Sequence, residues 1–475
     1  MSHKTSNILK LLEVFNVYSS KIAITDTVNN RKVSYADLLK LSINTSYKIK
    51  KKYNLKSGDR VIIKLQNSLE FLVLILSCLL AGLIAVPIDP NLPSEREKYI
   101  YNLIKPNAII DNINLNTKNL KNIKFETPKI RPFLVLFTSG TTGDPKGIVL
   151  ENEKYIASAF SYSKICEYDN NSKVYHCLPM FYNAGLSNIF FAGLISGANI
   201  IIGPKINTLN LITHVENLIK HKINSVHFTP EILNSICKLY ENRKFDKEKF
   251  RNIQVITTAS YLHEETRNKY EKLFGIRVLN CYGITEAGGP LTLQKWEDTF
   301  YEDSVGQHSK ELIFKIDNKQ KINHILIKSP YMMMGYLSEK RQIEKTKLKK
   351  GYFDTGDIGH YTGDQLFITG RRQDIIKKGG EIISLNLLDN ICKKIKDIED
   401  CTNLNIDDIN KGNRIFLFVK FKHVENLDKE INKLMFKLKK KLKKIELPDR
   451  IYPVPLIPKL FNGKINKNKL KEIYL

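Results

Sequence analysis

At 475 residues, with 75 Lys and Arg against 49 Asp and Glu and a net charge of +26, the chain can bury a large core and divide into more than one domain. The lysines run along the whole length beside many Asn and Ile residues. That is the pattern of a solvated surface, not of a localised nucleic-acid face, so no nucleic-acid partner is expected. Seven cysteines without a CxxC pair read as reduced, buried thiols and point to the cytoplasm, and no HExxH or zinc-ligand cluster occurs.

The N-terminus, MSHKTSNILKLLEVF, lacks the longer apolar core and cleavage site of a secretory signal. Val61-Ile62-Ile63 reads as a strand ahead of a helix at about 68–80. Residues 71–88, FLVLILSCLLAGLIAVPI, carry no charge and approach the length of a membrane span. Glu70 and Asp89 bracket them, Gly82 and Pro87 interrupt them, and Ile84-Ala85-Val86 reads as a strand. A buried helix running into a buried strand is therefore expected, and no membrane span.

LFTSGTTGDPKGIVL, residues 136–150, follows. Phe133–Phe137 is an apolar strand, and Ile148-Val149-Leu150 is another. Between them lie Thr138, Ser139, Gly140, Thr141, Thr142, Gly143 and Lys146. Glycines bring backbone N–H groups close to an anion, hydroxyls add neutral donors, and Lys146 adds charge, so this loop suits a polyphosphate. It is not a Walker loop, because Lys146 stands between Pro145 and Gly147. A plain glycine-rich turn is the alternative.

Further along, Ile200-Ile201-Ile202 precedes a helix at about 208–221, and Val226-His227-Phe228 leads to Pro230, a good first-turn helix residue. Val255-Ile256-Thr257 precedes a helix at about 262–274, and Val278-Leu279 runs into CYGITEAGG. This alternation predicts parallel sheets covered by helices, with ligand loops at the carboxyl ends of the strands. The loops at 138–147, 258–261 and 281–289 can then share one face. Short strands within 300–340 predict a small antiparallel subdomain. A Lys-rich piece with a strand at 415–421 and a basic helix near 428–445 closes the chain. The domains expected are residues 1–370 and 371–475.

Seven segments in order resemble the motifs of the AMP-forming adenylating enzymes, which include acyl- and aryl-CoA synthetases, peptide-synthetase adenylation domains and luciferases. Besides the 136–150 loop they are AGLIAVPIDPNLPSER (81–96), LPMFYNAGL (178–186), CYGITEAGG (281–289), YFDTGDIG (352–359), GRRQDIIKKGGEII (370–383) and IPKLFNGKI (457–465). The resemblance implies an α/β fold. Its large N-terminal domain has parallel-rich sheets covered by helices plus a small β subdomain, and a small mobile α+β C-terminal lid follows. The implied reaction activates a carboxylic acid with ATP to acyl-AMP, releases pyrophosphate, and passes the acyl group to a thiol.

The resemblance also implies residue roles. Thr138, Ser139, Gly140, Thr141, Thr142, Gly143 and Lys146 hold phosphates. Ala259 and Ser260 line adenine, although Thr258-Ala259-Ser260 lacks the family's glycine pair. Tyr282 packs on adenine with Gly283 keeping the spacing, Thr285 meets the α-phosphate, and Glu286 holds Mg2+, for which a lone carboxylate suffices because magnesium keeps phosphate and water ligands. Asp357 accepts the ribose hydroxyls and Arg371 reaches ribose or phosphate. Lys464 bridges the carboxylate and the α-phosphate. Tyr182, Asn183 and Gly185 border the acid, with Ala184 and Gly185 leaving room for it; Asn183 is equally readable as a structural amide. Gln373 is the hinge, and Gly379 and Gly380 line the thiol channel. The family's acidic pair beyond that turn is degraded to Leu387-Leu388-Asp389. CoA is the expected acceptor. A carrier protein with its phosphopantetheine, suited by the basic helix, is the alternative, and a catalytically silent nucleotide-binding protein is a further one.

Overall fold

The uncharged stretch at 71–88 forms a helix, Leu69–Ala81, followed by a strand, Ile84–Pro87. Ser68 caps the helix by accepting the Phe71 N–H, and Gly82 ends it in the left-handed conformation. Every residue from Phe71 to Leu80 is buried. Ser77 donates to the Ser42 carbonyl at 2.9 Å, joining this helix to the amphipathic helix Tyr35–Tyr53. The computed structural model describes residues 6–115, 123, 129–138, 145–207, 209–295, 303–319, 322–340, 342–378, 381–408, 412–422, 426–459 and 465–475. Among these, no helix is long and apolar enough to cross a membrane. All seven cysteines are buried and free.

Contacts divide the chain into two units. The first comprises the described residues of Met1–Phe314, Ile327–Phe353 and Thr362–Phe367. It contains two large sheets. One has seven strands, in the order Ile343–Glu344, Gly335–Leu337, Lys146–Glu151, Pro132–Thr138, Ile84–Pro87, Arg60–Ile63, Ala108–Ile110. Its last four strands run parallel, and the remaining neighbours pair antiparallel.

The other sheet has nine strands, in the order Gln307–His308, Gly289–Leu293, Val278–Ile284, Gln254–Thr257, Ser225–Phe228, Lys173–His176, Asn199–Ile202, Ile22–Asp26, Arg31–Ser34. Its six central strands are parallel. Side chains alternate across it. Val226, Val255 and Val278 pack with helices Leu211–Lys220, Pro230–Tyr240 and Glu264–Phe274. Ile256 and Leu279 pack with Tyr162 of helix Asn152–Ile165.

The second unit comprises Lys315–Leu326, Asp354–Tyr361 and Ile368–Leu475. The strand signals expected within 300–340 belong largely to a four-stranded sheet in the order Ile313–Lys319, Ile322–Lys328, Phe353–Thr362, Gln365–Arg371. Strands Ile398–Asp408 and Gly412–Phe421 pair antiparallel, and Arg450–Pro453 joins the latter in parallel. The basic helix is shorter than expected: it spans Leu427–Lys439, and a separate 3-10 turn covers Lys444–Glu446. Continuing the helix would set Lys437 against Lys441 and Lys439 against Lys443, like charges four residues apart.

An arginine secures the edge of the nine-stranded sheet. Arg31 reaches Glu70 at 2.6 Å and Asp26 at 2.8 Å, and Asp26 is 1% exposed. Burial raises the Asp26 carboxyl pKa, but hydrogen bonds from Asn29 and Arg31 outweigh it and hold the group below its ordinary 3.8. Arg31→Met should cost about 3 kcal/mol by leaving that carboxylate buried without its cation. A depressed acid stabilises the fold above its unfolded pKa and loses that contribution as pH falls through the folded value. The gap in denaturation midpoint between wild type and variant should therefore narrow below pH 3.8. An unchanged gap at low pH would exclude the ion pair as its source.

Candidate functional site

Strand Val278–Ile284 runs parallel to Gln254–Thr257, then meets Gly289–Leu293 antiparallel with a bulge between Tyr282 and Gly283. Gly283 has to be glycine, because a Cβ there would stand 2.4 Å from the Gly289 carbonyl oxygen. Thr285–Ala287 forms one 3-10 turn. Glu286, half-buried on that turn, accepts a 3.0 Å hydrogen bond from the Tyr336 hydroxyl. Its backbone carbonyl accepts the Met333 N–H at 2.8 Å.

Lys146 lies beside the same tyrosine, its ammonium 5.7 Å from the Tyr336 ring centroid. Thr138 and Lys146 are register partners closing the hairpin of strands Pro132–Thr138 and Lys146–Glu151. Ser139, Gly140, Thr141, Thr142 and Gly143 lie outside the described residues, as do Gly379, Gly380 and Lys464. The loops expected to share one face come from two sheets. The loop at 258–261 and the turn at 285–287 follow neighbouring parallel strands of the nine-stranded sheet, whereas the hairpin loop belongs to the seven-stranded sheet. Segment 333–337 joins the two: Met334 donates to the Val149 carbonyl at 2.8 Å, and Gly335–Leu337 pairs with the hairpin.

Thr258-Ala259-Ser260 contains no glycine, yet the backbone takes a conformation that favours glycine. Ala259 has φ +82°. Ser260 donates to Glu231 Oε1 at 2.8 Å.

The 178–186 segment is held from both sides of Pro179. Asn67 donates to the Leu178 carbonyl at 2.7 Å and accepts the Met180 N–H at 2.9 Å. A π-helix, Ala184–Phe191, follows, a form that often marks functional sites. Gly185 allows a close approach, since a Cβ would stand 2.6 Å from the Pro179 carbonyl oxygen. Asn183 accepts a hydrogen bond from the buried Tyr155 hydroxyl at 2.9 Å through Oδ1. Its amide nitrogen lies 3.3 Å from where a Cβ of Gly289 would stand. Tyr182 is largely buried, and burial raises its hydroxyl pKa well above the ordinary value, with Asp89 adding to the rise. Beneath this segment, burial lowers the His176 and His227 imidazoles to about 3, so both are neutral near pH 7.

In the second unit, Asp357 is 2% exposed and pairs with Arg371 Nε at 2.9 Å. Asp354 pairs with Arg372 at 2.6 Å. The Thr355 hydroxyl donates to the Ile325 carbonyl and accepts the Asp357 N–H, which fixes the turn that presents the carboxylate. Gln373 sits in the 3-10 turn Arg372–Asp374. Asp389 is half-buried and accepts from Asn403 at 2.6 Å, and burial of the carboxyl pushes it up to about 7.

Two neighbours of predicted site residues went unread in the sequence. Tyr336 follows Met332-Met333-Met334-Gly335 in a three-residue strand, too short for a periodic signal. Tyr155 sits in a helix whose pattern shows only an apolar face. Among the described residues no cluster of three or more His, Cys, Asp or Glu could hold a metal. The Glu286 turn does fit one divalent cation of the magnesium type. It offers one half-buried carboxylate, oriented by a neutral hydroxyl, and leaves the remaining positions to phosphate and water.

Residues 12–337 match the family described as AMP-binding enzyme. A 2-succinylbenzoate–CoA ligase of Staphylococcus epidermidis is 26% identical over 436 residues, covering 87% of this chain and 88% of that protein. A CoA ligase of Gibberella moniliformis is 24% identical over 563 residues, covering 96% and 93%. Among solved structures, ATP-bound MatB from Rhodopseudomonas palustris superposes with a TM-score of 0.85 at 18% identity, covering 98% of this chain and 99% of that one. The o-succinylbenzoate CoA synthetase of Bacillus subtilis, in complex with its acyl-adenylate intermediate, gives 0.84 at 19% identity, covering 98% of each. At these identities the structural likeness establishes the fold: an adenylating-enzyme architecture, large N-terminal domain first.

The left-handed alanine yields a stability test. Ala259→Gly should stabilise the protein by about 1 kcal/mol, since a non-glycine residue in that region carries roughly 1–2 kcal/mol of steric cost. Denaturant melts of the two proteins would measure it, and a destabilised variant would show that the methyl group contributes packing that exceeds the strain.

Proposed function

The chain belongs to the AMP-binding enzyme family, and we propose that it is an ATP-dependent carboxylate–CoA ligase that forms an acyl-AMP, releases pyrophosphate and transfers the acyl group to the thiol of CoA. The observation that carries this reading is the contact that Lys146 and Glu286 each make with Tyr336. A cation suited to phosphate and a carboxylate suited to a divalent ion share one tyrosine, and among the described residues neither is spent in an ion pair. The reaction brings two anions together, the acid's carboxylate and the α-phosphate, so positive charge and oriented donors must meet them.

In this reading Tyr282, Gly283, Ala259 and Ser260 hold adenine, and Asp357 accepts the ribose hydroxyls beside Arg371. Thr138, Ser139, Gly140, Thr141, Thr142, Gly143 and Lys146 hold the phosphates, and Thr285 orients the α-phosphate. Glu286 would hold magnesium, whose contribution when bound is to neutralise charge on the phosphates. Lys464 carries the positive charge at the bond-forming centre. The lid begins at Arg371 and turns at Gln373, with Gly379 and Gly380 along the thiol channel. Buried free thiols suit the reducing cytoplasm, where ATP and CoA are both available.

The relatives' names make 2-succinylbenzoate the first acid to test. Pyrophosphate release would be measured across an acid panel led by it, followed by thioester formation with CoA or a carrier protein. Acid-dependent release is expected, and Lys464→Ala should reduce it by about 10²–10³. Release that ignores the acid would overturn the proposal, and thioester on the carrier alone would replace CoA as acceptor.

Asn183 gives a finer expectation. Its carbonyl oxygen is engaged by Tyr155, so the amide offers its N–H groups and reads an acceptor on the acid. Asn183→Ala should lower kcat/KM by about tenfold for acids bearing a carbonyl or second carboxylate near the ring, the cost of one lost hydrogen bond, and far less for acids without one. Equal losses for both acids would make Asn183 a structural amide.

A further inference from the structure

Lys146 and Glu286 carry opposite charges, and both contact Tyr336. The contacts come from different parts of the tyrosine. Its hydroxyl donates to Glu286 Oε1 at 3.0 Å. Its ring faces the Lys146 ammonium at 5.7 Å, within the range of a cation–π attraction. Strand pairing explains why these three groups meet. Tyr336 is the register partner of Ile148. Lys146 stands two residues before Ile148, so it lies on the same face of the sheet as a diagonal neighbour of Tyr336. Glu286 arrives from the other sheet, held by the Met333 N–H on its carbonyl.

We propose that Tyr336 is a positioning residue for metal-bound nucleotide: it orients the Glu286 carboxylate, seats Lys146, and keeps the two from neutralising each other. The inference rests on the reading of Glu286 as the magnesium ligand. A direct Lys146–Glu286 ion pair would compete with both ligands, since the lysine is wanted on phosphate and the carboxylate on the cation. A neutral hydroxyl orients the carboxylate without cancelling its charge. An aromatic face holds the ammonium while leaving its N–H donors available. Tyr336 touches neither the reacting carboxylate nor the phosphorus in this account. It acts through two residues that bind the nucleotide.

Isothermal titration of the full-length protein tests this, with ATP plus Mg2+ and, separately, ATP plus EDTA. The quantity read is the gain in affinity that magnesium confers. Tyr336→Phe keeps the ring, its packing and the lysine contact, and removes only the hydroxyl. It should cut the magnesium gain by about tenfold, the worth of one hydrogen bond to a charged group, and leave metal-free ATP binding within about twofold. Tyr336→Leu removes the aromatic face too, so it should also weaken metal-free ATP binding, by about threefold. A purely structural tyrosine would not separate the two titrations in this way. Glu286→Gln serves as reference. A wild-type magnesium gain in Tyr336→Phe, with that gain lost in Glu286→Gln, would overturn the inference and leave the proposed function standing. A gain retained by both variants would instead remove Glu286 as the metal ligand, and the inference would fall with it.

Discussion

Two consecutive backbone amides hold the first unit's candidate site together. Met333 donates to the Glu286 carbonyl and Met334 donates to the Val149 carbonyl, each at 2.8 Å. One acceptor follows a strand of the nine-stranded sheet, and the other lies within the hairpin of the seven-stranded sheet. Buried backbone donors must find acceptors, so this segment cannot slide without breaking both bonds. The strand Gly335–Leu337 then continues the hairpin's ladder and delivers Tyr336 to its position. The position of Tyr336, which both Lys146 and Glu286 contact, is thus tied to main-chain hydrogen bonding.

The neighbouring segment at 178–191 relies on neutral polar groups. Asn67 clamps it at Leu178 and Met180, and Tyr155 orients Asn183. Burial keeps His176 and His227 uncharged. In such a segment a buried donor or acceptor left unpaired costs more than a well-made bond contributes. Gly185 fits the same logic: its missing side chain lets the π-helix start against the Pro179 carbonyl, and so sets where Asn183 stands.

Charge in the second unit is handled differently. Asp357 and Asp354 each face an arginine, and the first is nearly inaccessible to solvent. A buried carboxylate needs a cation or several donors to stay ionised. Asp389, which meets an amide in place of an arginine, is pushed up towards neutrality.

The sequence by itself determined the order of motifs, the alternation of strands and helices, the buried helix at Leu69–Ala81 and the family to which the chain belongs. These are local properties: apolar runs, glycines and hydroxyls at short spacing, caps at helix ends. It also named the residues of the proposed chemistry, Glu286 and Asp357 among them. Only the tertiary structure decided which sheet carries each loop, because strand order depends on pairings between residues a hundred or more positions apart. Strand pairing of that range brings Tyr336 to Lys146, and tertiary packing brings Tyr336 to Glu286 and Tyr155 to Asn183. The left-handed backbone at Ala259 is likewise absent from that residue's own preference. Composition and periodicity report which faces are buried. They do not report which side chain from a distant segment arrives to orient a functional one.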